Sequence, residues 1–204
     1  MKHAPNIAFD GLPLRHFGAI VADPPWNWKS YRDDIGSRSA ARHYSVMQLS
    51  EIKIWPVASL TAPTGCHLFL WTTGPHLQQA FEVINAWGFK YSSVAFTWLK
   101  LKRRFEKPQL RFVSDLTHDF HFGLGKTTRK NMEFCLLARR GNARRLATDV
   151  RELIIAPVRE HSRKPDEAME RIERYSVGPY LELFARTERP GWTSWGNERE
   201  KFNA

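Results

Sequence analysis

Asp23-Pro24-Pro25-Trp26 closes a short apolar run, Gly18-Ala19-Ile20-Val21-Ala22, and sets a carboxylate, backbone carbonyls and an indole side by side. The run reads as a buried strand. Two consecutive prolines lack the N–H groups that would continue a ladder, and they fix φ. The chain must therefore leave the sheet there with its carbonyls exposed. In open α/β sheets, ligands bind beyond the carboxyl ends of the strands. Oxygen acceptors next to an aromatic face suit a planar substrate with an exocyclic amine, and adenine fits that description. Asp23, Pro24, Pro25 and Trp26 are the expected catalytic set, with Trp26 offering a stacking face.

A second group of residues lies near the C-terminus. His161-Ser162-Arg163-Lys164-Pro165 leads into a helical pattern, Leu181-Glu182-Leu183-Phe184 follows, then Arg186 and Trp195-Gly196-Asn197-Glu198. Glu, Arg and Asn at strand ends can hold a zwitterionic, ribose-bearing ligand, because guanidinium pairs with carboxylate while carboxylate and amide groups take hydroxyls. Gly123-Leu124-Gly125 lacks the third glycine and the apolar helix of a phosphate loop. A nucleoside ligand without phosphates therefore fits better than a dinucleotide.

The net charge of +10 is concentrated: residues 100–145 hold thirteen Lys and Arg against four acids, which is +9 of the total. Such a band is the footprint of a polyanionic partner. Lys29, Arg32, Lys102, Arg103 and Arg104 are expected to grip phosphates, and Lys100, Arg129 and Lys130 to join the substrate contact. Trp28 and Tyr44 offer stacking surface and His43 is within reach of a substrate; all three fall in or beside a polar, aperiodic stretch over 27–42 expected to form a loop over the site.

The elements that must position these groups alternate. Strands are expected over 66–71, 91–101, 133–140, 152–156, 180–185 and 192–195. Helices are expected over 48–54, after Gly74-Pro75 with Leu77, Ala80, Phe81, Ile84 and Trp87 on the buried face, and after Pro165 with Ala168, Met169 and Ile172 inside. Residues 102–130, basic and aromatic, are expected to form a long functional loop. This order implies one α/β domain over 1–204, with a mostly parallel sheet and helices on both faces. Cys66 and Cys135 sit in apolar segments and read as buried thiols. No disulfide, metal or membrane contact is expected, and the chain reads as cytoplasmic.

Taken in order, these motifs resemble the MT-A70 family of adenine methyltransferases, over nearly the whole length. The resemblance rests on Ala22-Asp23-Pro24-Pro25-Trp26, Arg42-His43-Tyr44-Ser45-Val46-Met47, Phe69-Leu70-Trp71, Trp98-Leu99-Lys100, Thr128-Arg129-Lys130-Asn131-Met132-Glu133, Lys164-Pro165-Asp166-Glu167, Glu182-Leu183-Phe184-Ala185-Arg186 and Trp195-Gly196-Asn197. It implies a Rossmann-like methyltransferase fold in the permuted, β-type motif order, with S-adenosylmethionine as donor. It further implies that Asp23 and Pro24 hold the target amine and that Trp26 or Tyr44 faces the base. Lys164, Arg186, Asn197, Glu198 and Asp23 would contact the donor, with Asn6 and Ile7 near its adenine. In a duplex the amine is paired, so the base must be flipped out or supplied single-stranded. The small stand-alone form favours DNA over RNA; the alternatives are the same reaction on RNA or a non-catalytic partner that binds nucleic acid.

Overall fold

The computed structural model describes residues 9–26, 47–103, 120–121, 123, 128–160 and 163–196. Within them lie seven strands: β1 Ala19–Ala22, β2 Gly65–Thr72, β3 Lys90–Leu101, β4 Met132–Gly141, β5 Leu153–Pro157, β6 Tyr180–Leu183 and β7 Trp192–Trp195. They form one sheet in the order β5-β3-β4-β2-β1-β6-β7. β1 pairs parallel with β2 and β6, β6 with β7, and β3 with β5, whereas β4 runs antiparallel between β2 and β3. The expected mostly parallel α/β sheet is thus present, with β4 alone reversed. The chain departs from β1 to β2 on one side and returns to β6 on the other. The tip of β1 is therefore the point where such sheets open a crevice.

Both faces of the sheet are covered, which is why its strands read as near-continuous apolar runs. Along β1, Ile20 and Ala22 face a core shared with Leu68, Leu70, Leu136, Leu181 and Leu183. Helix α1 (Leu49–Lys53) and helix α2 (Leu77–Ala86) close that side through Ile52, Ala80, Val83 and Ile84. Trp87 ties the two helices together, its indole N–H donating to Ile52 O at 2.9 Å. Ala19 and Val21 face the other way, into Phe69, Trp71, Phe96 and Trp98. There helix α3 (Asp166–Tyr175) packs through Ala168, Met169 and Ile172, as its spacing requires.

One expected core position is corrected. Phe81 is 37% exposed and packs edge-on against Tyr91, while Val83 takes the buried place. A 3-10 turn over Gly74–His76 precedes α2. The buried arc consequently centres on Ala80, Val83, Ile84 and Trp87, and Phe81 falls at its edge. Cys66 and Cys135 are free and buried, and burial pushes both thiols up. No helix among the described residues is long and apolar enough to cross a membrane.

The last two strands depend on a close approach at Gly196. A Cβ there would lie 2.6 Å from Ala185 O, and Ala185 N donates to Trp195 O at 3.0 Å. Just before it, Phe184 takes φ 61°, a left-handed conformation that turns the chain out of β6. Arg186 is thereby delivered to the same crevice as the tip of β1.

Candidate active site

Beyond Ala22, the prolines do what their chemistry dictates. Trp26 N donates to Pro24 O at 2.8 Å and Met47 N to Pro25 O at 3.0 Å. A carbonyl oxygen has two lone pairs, so Pro24 O retains one for a further donor. Asp23 is held from one side only. Its Oδ2 accepts from Lys164 Nζ at 2.6 Å and lies 3.5 Å from Arg186 Nη2. Oδ1 accepts no hydrogen bond among the described residues. Two oxygens at one strand tip thus keep acceptor capacity in a rigid setting.

Lys164, the residue before Pro165 at the mouth of α3, is the hub. Its ammonium also lies 3.2 Å from Glu133 Oε2 and 5.6 Å from the centre of the Trp71 ring. Glu133, at the start of β4, pairs through its other oxygen with Lys100 at the end of β3. Burial would raise the Glu133 carboxyl, but the ammonium charges and hydrogen bonds of Lys164 and Lys100 outweigh it and hold the group down at about 2. For Lys164, burial opposes the charge while Asp23 and Glu133 favour it, and the net shift is upward. This is a partly buried ionic chain: Lys100, Glu133, Lys164, Asp23, Arg186.

The cleft beside it is lined by Val21, Asp23, Trp71, Glu182, Arg186 and Arg189, among others. Glu182 Oε2 is sealed from solvent with no hydrogen-bond partner among the described residues. Burial and the neighbouring Asp23 charge push the Glu182 carboxyl up to about 7 against the pull of Arg189, Arg186 and Lys164. A folded-state value above the ordinary one near 4.5 means stability is full at acid pH and lost as pH climbs from that value through about 7. Glu182→Gln is expected to remove that loss. In urea unfolding at pH 8 the variant should exceed the parent by about 2–3 kcal/mol, with the two alike at pH 4. An equal difference at both pH values would contradict the shift.

The remaining expected site residues divide. Asp23, Lys164 and Arg186 meet at this crevice, and Pro24 and Pro25 follow Asp23 directly in the chain. Lys100, expected to bind substrate, pairs with Glu133, and its ammonium sits 4.8 Å over the Trp98 ring. Trp26 packs inward. It is 9% exposed, donates its indole N–H to Trp71 O at 3.0 Å and stacks on His76. An amphipathic ring at a strand tip can pack inward or stack outward, and here the buried carbonyl of Trp71 draws it in. Trp26→Ala should cost about 3–5 kcal/mol in urea unfolding. Trp26→Phe, which loses the hydrogen bond and part of the ring volume, should cost less, about 1–3 kcal/mol. Unchanged stability with weakened substrate binding would return Trp26 to the stacking role.

Lys102, Arg103, Arg129 and Lys130 lie at the same end of the sheet, where Lys130 Nζ donates to Thr128 Oγ1 at 2.7 Å. Asn6, Ile7, Trp28, Lys29, Arg32, His43, Tyr44, Arg104, Asn197 and Glu198 lie outside the described residues. Sequence reasoning missed Glu133 as the link between two lysines. Its only signal was a lone acid inside a basic, strand-forming segment.

The basic band is also divided. Because β4 runs the length of the sheet, Arg139 and Arg140 reach the end opposite Asp23.

With this geometry in hand, the likeness to known proteins can be placed. The family described as MT-A70 matches residues 17–198. The chain belongs to the MT-A70 family. It is 31% identical to the type II methyltransferase M.MunI of Mycoplasma sp, over 93% of this chain and 81% of that protein. It is 33% identical to the human N(6)-adenine-specific methyltransferase METTL4, over 91% of this chain and 38% of that protein. The Arabidopsis thaliana N(6)-adenosine-methyltransferase MT-A70-like protein is 34% identical, over 91% of this chain and 24% of its own length. The chain thus spans most of the Mycoplasma protein but well under half of the two eukaryotic MT-A70 relatives.

Proposed function

We propose that this MT-A70 methyltransferase moves a methyl group from S-adenosylmethionine to the exocyclic nitrogen of adenine in DNA. The observation that carries the reading is the strand tip itself. Asp23 Oδ2 is pinned by Lys164 and Arg186, which leaves Oδ1 and a lone pair of Pro24 O open to two N–H donors. M.MunI, of which this chain spans 81%, is named a type II methyltransferase, and that supports DNA over RNA.

The residues present fit the donor. S-adenosylmethionine supplies a methyl group already activated on a sulfonium. Lys164 and Arg186 offer cations for a carboxylate. Glu182, an orphaned buried acceptor, suits a cationic or hydroxyl-bearing group. Asn197, Glu198, Asn6 and Ile7 are proposed to complete that contact.

Adenine's amine is a poor nucleophile because its lone pair is delocalised into the ring. Asp23 and Pro24, accepting its two N–H groups, favour a pyramidal nitrogen and stabilise the positive charge that grows there as the N–C bond forms. The prolines fix both acceptors before substrate arrives, so orientation costs little at the moment of reaction. The proton shed by nitrogen goes to Asp23 or to water. Lys102, Arg103, Arg129 and Lys130, with Lys29, Arg32 and Arg104, are proposed to hold the phosphates. Trp28, His43 and Tyr44 are proposed to contact the extruded base.

The test is a parallel incubation of DNA and RNA oligonucleotides with methyl-labelled donor, followed by digestion to nucleosides. Label in N6-methyldeoxyadenosine is expected. Label in N6-methyladenosine alone would move the substrate to RNA, and label in cytosine would overturn the reading.

A further inference from the structure

The end of the sheet farthest from Asp23 carries a second cationic cleft. It measures about 830 Å³, larger than the crevice at Asp23, and Arg15, Lys90, Arg139 and Arg140 line it, with no acidic residue among its described lining residues. Lys90 and Arg139 face each other across β3 and β4, and Arg140 Nη1 donates to Gly88 O at 2.9 Å. None of the four pairs with a carboxylate among the described residues. Several arginines elsewhere do find acids: Arg159 and Arg189 share Asp166, Arg171 takes Glu167 and Arg174 takes Asp149. The rear cleft gathers four cations with no carboxylate among its described lining residues.

We infer that this cleft holds the sugar–phosphate backbone of the nucleic acid at a point remote from the target base, acting as a second, sequence-independent grip. The inference rests on the nucleic-acid reading above. Six residue steps along β4 separate Glu133, beside the catalytic crevice, from Arg139. At ~3.3 Å per residue this is about 20 Å. A strand long enough to cover that distance engages both ends, and one of a few nucleotides engages only the first. Three exposed cations without partners attract phosphates at modest desolvation cost, and each phosphate neutralised releases counterions. Such a grip raises residence on long substrates and leaves the chemical step untouched.

The test compares the parent with Arg15→Gln/Lys90→Gln/Arg139→Gln, using an adenine-containing trinucleotide and a single strand of about 30 nucleotides. Arg140 is left in place because it also braces Gly88. For the long strand the triple variant should bind about tenfold more weakly near ~0.1 M salt, with a log–log salt slope shallower by about 2, at ~0.7 per phosphate. Methyl transfer to the trinucleotide should be unchanged. The charge-conserving Arg15→Lys/Lys90→Arg/Arg139→Lys protein should recover the parent's slope, which separates lost charge from damaged fold. Unchanged long-strand affinity, the outcome if the cleft serves an acidic protein, overturns the inference while leaving the catalytic reading intact, as does equal weakening for both lengths. A parent that binds neither oligonucleotide overturns the nucleic-acid reading and this one with it.

Discussion

Asp23→Asn is expected to slow methyl transfer by about 10²–10³-fold at saturating donor and substrate, which corresponds to about 2.7–4 kcal/mol of lost transition-state stabilisation. The amide keeps the shape of the carboxylate and one acceptor oxygen. It loses the negative charge that opposes the cation forming on nitrogen. Lys164 retains Glu133 as a partner at 3.2 Å, so the buried ammonium is not stranded and the fold should hold. Donor affinity, read by calorimetry, should stay within a few-fold of the parent. A rate loss matched by a comparable loss of donor affinity would instead make Asp23 a binding residue. Asp23→Ala should be at least as slow.

Lys164→Met should be the most destabilising single change in the crevice. The thioether fills much of the same space, but Asp23 and Glu133 then share a buried region without the ammonium that lies 2.6 and 3.2 Å from them. Removing one member of a buried ion pair costs about 3–5 kcal/mol because the remaining charges lose their compensation. The pH dependence follows from Glu133, whose carboxyl is held at about 2 against an ordinary 4.5. A depressed carboxyl contributes stability that is present above its ordinary value and fades as pH falls through its folded one. In the parent this contribution is full above about 4.5 and is lost as pH falls through about 2. In the variant Lys100 alone remains to hold Glu133, so the contribution should be smaller. The gap between the two proteins in urea unfolding should be widest at neutral pH and shrink in acid. Lys164→Arg, which keeps the charge, should recover most of the loss. A gap independent of pH would mean that Lys164 acts through packing alone.

The strand at Asp23 could be read from the chain because its two signals are local: an unbroken apolar run, then consecutive prolines that cannot continue a ladder. Helix α3 was legible for the same kind of reason, with Pro165 at its mouth and Ala168, Met169 and Ile172 on one face. The ionic chain was not legible. Lys164 and Asp23 are 141 positions apart, and only the adjacency of β1 and the mouth of α3 brings them together. Lys100 looked like one more cation in a basic run, yet antiparallel pairing sets Trp98 opposite Glu133 and places that acid within its reach. A count of charge along the chain also cannot register that β4 turns back through the sheet. A single band in sequence becomes two cationic regions at opposite ends in space. The inward packing of Trp26 was not legible for a different reason: an indole serves equally well as a stacking face or as a buried donor, and only the fold sets the Trp71 carbonyl beside its N–H.

The most direct test of the acceptor arrangement is a crystal structure with a bisubstrate compound in which adenosine N6 is tethered to the methyl-donor nucleoside. The expected result places that nitrogen within hydrogen-bond distance, about 2.7–3.2 Å, of both an Asp23 carboxylate oxygen and Pro24 O, with Lys164 still beside Oδ2. A nitrogen bound elsewhere in the crevice, with Asp23 and Pro24 left to solvent, would contradict it.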